Sequence, residues 1–178
     1  ILRKLFQVVR GDTPLDHHLS RGLKVGKNFS LLEEVILDYS HTFHIEIGDD
    51  VTLAPRVHIL AHDASTKLHL GFTRIGKVTI GDRVFIGASA IILPTVVIGN
   101  DVIIGAGSVV STNVPDGVVV AGNPAKIICK TEDYISRKKK ELEDSPCFQE
   151  SYIFKEGMSR EQMDEMNRKM NNRVGYIV

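Results

Sequence analysis

Four histidines, His41, His44, His58 and His62, could do chemistry in this sequence. An imidazole has an unperturbed pKa of about 6.5 and can take a hydroxyl proton near neutral pH. It can also ligate a metal, and the spacings of three (His41, His44) and four (His58, His62) invite a zinc site. That spacing gathers ligands on one face only in a helix, and both segments read as strands. Three histidines could still converge if subunits share a site. His62 stands apart because it immediately precedes residues 65–74, STKLHLGFTR, where Lys67, His69, Phe72 and Arg74 give a loop polar and aromatic reach. By residue type alone His62 reads first as a corner histidine bonded to backbone, and only then as a base. Neither Cys129 nor Cys147 lies near it in sequence. The two carry no metal-ligand spacing and no disulfide framework, which suits a reducing cytoplasm.

The elements that must position these residues follow a period of six. Residues 80–115 divide into IGDRVF, IGASAI, ILPTVV, IGNDVI, IGAGSV and VSTNVP. The first position holds Ile80, Ile86, Ile92, Ile98, Ile104 and Val110; the fifth holds Val84, Ala90, Val96, Val102, Ser108 and Val114. Six matches neither an amphipathic helix nor an alternating strand. It matches short strands that turn a corner every six residues, three to a coil, with coils stacked about 4.8 Å apart as parallel sheet. An earlier coil reads VGKNFS, LLEEVI, LDYSHT, and a second reads IGDDVT, LAPRVH, ILAHDA, with Ile47, Leu53 and Ile59 inward. The register slips between them, since Phe43 to Ile47 is only four residues. It breaks again at 65–74, an expected loop extruded from a corner, with the coil returning at Ile75-Gly76-Lys77-Val78.

The expected fold is thus an all-β core, a parallel β-helix of hexapeptide repeats over residues 23–128. It carries an extruded loop, a short, partly helical N-terminal segment (1–22) and a helical C-terminal tail (129–178). Ile1, Leu2, Leu5, Phe6 and Val9 could form one apolar helical face, while Asp16, His17 and His18 read as solvated loop. Pro124 cannot donate a ladder hydrogen bond, so the coils should end near Gly122-Asn123-Pro124. Residues 130–143 and 159–172 read as helices, the second with a Ser159–Gln162 capping box and a stripe of Met163, Met166 and Met170 expected to dock on the prism. Composition agrees with a narrow core: 43% of residues are hydrophobic but only 6% aromatic. Twenty-two basic residues balance twenty-two acidic ones, so no global field favours nucleic acid or a membrane surface. No apolar run reaches the roughly 18–20 residues that span a bilayer.

Taken together, LAPRVHILAHDASTK, IGKVTIGDRVFIGASAIILPTVVIGNDVIIGAGSVV and AGNPAKII resemble the hexapeptide-repeat O-acetyltransferases. The similarity is to galactoside and maltose acetyltransferases and to acyltransferases of capsule or O-antigen synthesis. The resemblance implies a left-handed coil, a homotrimer, a cytoplasmic location and acetyl-coenzyme A as co-substrate, lying in a groove between neighbouring prisms. It implies a sugar or surface-polysaccharide precursor as acceptor and His62 as the catalytic base. It places Ala88, Ala106, Ser111 and Thr112 along the pantetheine and Lys126 near the coenzyme's phosphates. Thr112 and Cys129 stand where galactoside enzymes have basic residues, and Leu32-Glu33-Glu34 replaces their Asn-Phe-Asn acceptor segment. Glu34, Asp38 and Asp16 are therefore the candidate contacts to a different sugar. Two other readings remain. One is a zinc enzyme like the γ-class carbonic anhydrases, although IGDRVF and IGASAI lack the histidine those repeats carry. The other is a non-catalytic β-helix scaffold, against which the loop and His62 argue.

Overall fold

The computed structural model describes residues 14–153 and 157–178, so the apolar face expected over Ile1–Val9 lies outside the described residues. Two compact units divide between Thr131 and Glu132. In the first, helix α1 (Leu15–Ser20) leads into four coils of three short strands each. Coil one has β1 (Lys24–Val25), β2 (Ser30–Leu31) and β3 (Ile36–Leu37); coil two has β4 (Ile45–Ile47), β5 (Thr52–Leu53) and β6 (His58–Ile59). An antiparallel pair, β7 (His62–Asp63) and β8 (Arg74–Ile75), then stands out from the coil around the one-turn helix α2 (Lys67–Leu70). Coil three has β9 (Val78–Ile80), β10 (Phe85–Ile86) and β11 (Ile91–Ile92), and coil four β12 (Val97–Ile98), β13 (Ile103–Ile104) and β14 (Val109–Val110). Successive coils pair in parallel and build three faces: a first from β1, β4, β9 and β12, a second from β2, β5, β10 and β13, and a third from β3, β6, β11 and β14.

Register shows where the repeat is regular and where it is not. Ile86 pairs with Ile104 and Ile92 with Val110, 18 positions on, as three hexapeptides require. Val25 pairs with Ile47, 22 positions on and so four beyond that length, and Ile47 pairs with Ile80, 33 positions on and so fifteen beyond it. Both excesses enter at the same corner, between the third face and the first. The first is a 3-10 turn, Thr42–His44, and the second is the β7–β8 loop. The rejoining point differs from the sequence expectation. Ile75 is paired antiparallel in β8 and 55% exposed, and the coil resumes at Val78, which is fully buried. Pairing with His62 commits Ile75 to the extruded hairpin.

Inside the prism the first-position residues Ile59, Ile86, Ile92 and Ile104 are fully buried, and so are the fifth-position Val51, Val57, Ala90, Val102 and Ser108. Ser108 is satisfied there: its hydroxyl donates to Gly105 O (2.6 Å) and accepts from Gly122 N (3.2 Å). The corners are tight. Fourth-position residues turn these corners in the left-handed conformation, with φ of 54° at Asn28, 56° at Asp50, 54° at Arg83 and 56° at Asp101 on one edge. Asn and Asp enter that region readily; Arg does so at some cost. On the same edge a second column, Asp49, Asp82, Asn100 and Asp116, accepts hydrogen bonds from the backbone of the neighbouring coil. Lys27 N donates to Asp49 Oδ1 (2.7 Å), Asp49 N to Asp82 Oδ1 (2.8 Å), Asp82 N to Asn100 Oδ1 (2.8 Å) and Asn100 N to Asp116 Oδ1 (2.7 Å). A Cβ on Gly48 would collide with Asp82 Oδ1 and lie 2.8 Å from the Gly81 carbonyl carbon, so the Ile-Gly-Asx signature is a packing requirement.

The stack ends as anticipated at Gly122-Asn123-Pro124. There β15 (Val118–Ala121), still parallel to β13, reverses into the antiparallel β16 (Lys126–Lys130). At the other end, the expected solvated loop at Asp16–His18 is corrected to helix α1. His18 is buried, its Nδ1 lying 3.4 Å from Thr42 Oγ1, and burial is the first cause that pushes its pKa down.

The second unit holds α3 (Thr131–Glu143), β17 (Cys147–Phe148), α4 (Arg160–Met170) and β18 (Tyr176–Ile177), with β17 and β18 parallel. The capping box of α4 is present in both halves, Gln162 N to Ser159 Oγ at 3.2 Å and Ser159 N to Gln162 Oε1 at 2.9 Å. Within this unit the site of Gly175 is flanked by Met170 and Phe148.

Truncation tests the inward ladder. Ile92→Ala should lower unfolding free energy by about 2–5 kcal/mol, the usual cost of emptying a fully buried aliphatic site. An unchanged urea midpoint would contradict the inward assignment.

Candidate active site

The corner that takes both insertions also collects the titratable residues. Asp38 directly follows β3, and its N–H donates to Ile59 O (2.9 Å), continuing the ladder for one more bond. Its carboxylate then organises the turn. Oδ1 accepts from Ser40 N (3.1 Å) and His41 N (3.0 Å), and Thr42 Oγ1 donates to Asp38 O (2.6 Å). Oδ2 accepts from Ala61 N (2.8 Å) and lies 2.5 Å from His62 Nδ1 in the next coil. The Asp38 side chain is wholly buried. Burial alone would push its pKa up; the hydrogen bonds from His62, Ala61 N and His41 N, with the charge of His62, outweigh it and hold the carboxyl below the usual range.

That partner fixes the tautomer of His62. An ionised carboxylate only accepts, so Nδ1 must carry the proton, and the lone pair of a neutral imidazole then resides on Nε2. His62 keeps 37% of its side chain exposed and lines an open cleft of about 660 Å³. Leu60, Ser65, Arg74, Leu93, Pro94, Thr95 and Ser111 form its other walls. Thr95 is β-branched with φ of 74°, a strained conformation in the wall of the cleft that His62 lines. Across the hairpin Arg74 Nη1 donates to Asp63 Oδ2 at 3.2 Å.

The expected site residues separate into groups. Ser111 shares the cleft with His62, two coils away along the same corner. Thr112 and Lys126 line an adjoining hollow of about 390 Å³ with Asn113, Pro115, Ala125 and Ile127. Ala88 and Ala106 stack on a different edge, between the second and third faces, where Gly107 N donates to Ala88 O (2.8 Å). Glu34, exposed with φ of 58°, lies on that second edge as well, and Asp16 is exposed on α1. Asp38 requires correction. A carboxylate with no exposed surface cannot touch a sugar, and its bonds make it the residue that orients His62. The signal was the Leu37–Ile59 pairing, which sets Asp38 beside Leu60 and so within reach of His62.

The histidines separate too. His58 lies in β6, while His41 stacks on His44 at 6.0 Å and tilts towards His62 at 5.2 Å between ring centroids. Among the described residues, Asp38, His41 and His62 each offer a ligand atom within 4.8 Å of the others. The same residues include no helix long and apolar enough to cross a membrane.

This prism and corner have counterparts. The family described as bacterial transferase hexapeptide (six repeats) matches residues 77–112. YvoF of Bacillus subtilis (strain 168), an acetyltransferase by assignment, is 40% identical over 121 residues, 68% of this chain and 68% of its own length. The chain belongs to the hexapeptide-repeat acetyltransferase family. Its prism is the left-handed parallel β-helix of these acetyltransferases. Among solved members, a maltose O-acetyltransferase from Clostridium difficile 630 superposes with a TM-score of 0.53 at 31% identity, over 71% of this chain and 83% of its own. The acetyltransferase VCA0836 of Vibrio cholerae O1 biovar eltor, solved with acetyl coenzyme A, gives 0.56 at 26% identity, over 62% of this chain and 61% of its own.

The depressed Asp38 carboxyl carries a stability term with a definite sign. Its folded pKa lies below the unfolded one, so the stabilisation is complete above pH of about 4 and is lost as pH falls through the folded value. Wild type should therefore exceed Asp38→Asn in urea midpoint at pH 7, and the gap should shrink by pH 3. A gap that widens on acidification would contradict an ionised Asp38.

Proposed function

We propose that this enzyme transfers the acetyl group of acetyl-coenzyme A to a hydroxyl of a sugar or surface-polysaccharide precursor, with His62 as general base. The observation that carries the reading is the Asp38–His62 pair, which leaves Nε2 with a lone pair at an open cleft. Nε2 takes the hydroxyl proton as the oxygen attacks the thioester carbonyl. The imidazolium so formed is stabilised by Asp38, and Nε2 returns the proton to the departing thiolate. No covalent enzyme intermediate is needed. The complex of VCA0836 with acetyl coenzyme A and the named activity of the maltose O-acetyltransferase support the donor and the acceptor class.

Ser111, Thr112 and Lys126 hold the coenzyme, Lys126 by attraction for its phosphates. Ala88 and Ala106 lie on another edge of the prism, so a single chain does not bring all the proposed contacts to one groove. A homotrimer does: one prism supplies the His62 corner and its neighbour the Ala88–Ala106 edge. Outward apolar residues on the faces, Ile36 and Phe85 at 46% exposure and Val97 at 45%, fit such packing. The reaction belongs in the cytoplasm, where a thioester donor is available and Cys129 and Cys147 remain thiols. Glu34 and Asp16 are the acceptor contacts in this reading. A carbonic-anhydrase-like reaction would need three converging histidines; among the described residues the ligand atoms that gather here come from Asp38, His41 and His62, only two of them histidines.

Acetyl transfer is followed by free-thiol release while acceptor sugars are screened. His62→Ala should lower kcat by roughly 100- to 10,000-fold, the usual worth of a positioned base. Coenzyme binding should survive, and Asn at 62 should be almost as poor. Full turnover in His62→Ala would sink the mechanism. Lys126→Ala should instead raise KM for acetyl-coenzyme A more than it lowers kcat, with a weaker salt dependence. Identical salt responses of the two proteins would remove Lys126 from the coenzyme site.

A further inference from the structure

His41 has no task in the acetyl-transfer chemistry, yet it is placed as a ligand would be. Its ring Nδ1 is buried and makes no hydrogen bond, although it lies 3.8 Å from Asp38 Oδ1. His62 Nδ1 approaches the other oxygen of the same carboxylate at 2.5 Å, and one ligand atom from each residue falls within 4.8 Å of the other two. Ligands about 2.0–2.2 Å from a tetrahedral zinc ion are separated by about 3.4 Å. The two imidazoles approach the two oxygens of one carboxylate, and with all three ligand atoms within 4.8 Å of one another a retreat of His62 and an advance of His41 would complete three legs of a tetrahedron. The ligand atoms are sheltered while the two rings are 26% and 37% exposed, so the fourth position would fall to a water on the solvent side. Two imidazoles and a carboxylate are a donor set suited to zinc and other late first-row divalent ions.

We infer that Asp38, His41 and His62 form an inhibitory site for a divalent transition metal, with Zn2+ as the reference ion. The inference rests on His62 being the base. The logic is that of a tautomer. With Asp38 as partner, the imidazole proton is on Nδ1 and Nε2 accepts. With zinc on Nδ1, the neutral ring keeps its single proton on Nε2, which then donates and can no longer take a proton from the acceptor hydroxyl. No proton is gained or lost by the ring; it changes nitrogen. The metal also takes the Asp38 oxygen that orients His62. Of the proposed coenzyme contacts, Ser111 lines the His62 cleft and Thr112 and Lys126 the adjoining hollow, but none is a ligand of the ion, so inhibition should appear chiefly in kcat and less in KM for acetyl-coenzyme A.

The test uses full-length protein freed of metal by chelator and titrated calorimetrically with ZnCl2, with Co2+ absorption reporting tetrahedral geometry. One equivalent per chain should bind. Affinity should fall at least 10-fold in His41→Ala and in His62→Ala, while His58→Ala, outside the cluster, should bind as wild type does. Zinc should inhibit wild-type acetyl transfer reversibly on chelation, and His41→Ala should be active and resistant. His41→Gln serves as the second variant should the alanine protein not fold. Unchanged affinity in the His41 variants, or full acetyl transfer at saturating zinc, overturns the proposal while leaving the acetyltransferase reading intact. Stoichiometric, His41-dependent binding in a protein that acetylates no acceptor supports the metal site. That result would overturn the His62 base reading and the inhibitory role together.

Discussion

The coil must return to its own starting line every 18 residues, and the hydrogen bonds between coils permit little else. In an open sheet a strand can drift in twist and length. Here each strand has two or three residues, and the next corner must begin on time. The corner between the first and second faces enforces this with a column of glycines and a column of Asx side chains. Each Asx accepts from the backbone of the neighbouring coil, and each glycine makes way for it. The interior ladder of Ile and Val can then be nearly uniform, because register is set at the edge.

The Asp38–His62 corner exists where that rule is relaxed. Four extra residues enter after coil one and fifteen after coil two, both between the third face and the first. Backbone groups freed by leaving the ladder need partners, and Asp38 supplies several of them. One oxygen receives Ser40 and His41, the other Ala61 and His62. The carboxylate that closes the first insertion is therefore the one that aims the histidine at the mouth of the second. Fold and candidate site share a residue. That is economical, and it makes Asp38 sensitive on two counts.

What the sequence discloses follows from this division. The hexapeptide period, the inward positions and the end of the stack at Pro124 are legible because each is a local rule repeated many times. The place of His62 at the mouth of the hairpin is legible because it stands where the repeat breaks. Asp38 is not, because its partner is 24 positions away across an irregular insertion, and only the coil-to-coil pairing of Leu37 with Ile59 brings them together. Read as a free acid, it looks like a sugar contact. Ile75 misleads for a related reason: the Ile-Gly pair mimics a repeat start, but antiparallel pairing with His62 holds it outside. His18 shows the same limit, since its burial depends on contact with Thr42, 24 residues on.

The reversal after Pro124 has a further meaning. A stack of parallel coils ends in a row of unpaired backbone groups, an invitation to another copy to continue the stack. On the second face that row is covered by β16, which runs the wrong way for a further coil and carries Lys126 and Lys130 at its two ends. The register shift at Val119/Val120 bends the pair further from the flat geometry that templated growth requires. The strand that bears Lys126 thus also closes the second face to a further parallel coil, which guards the prism against growing into a fibre.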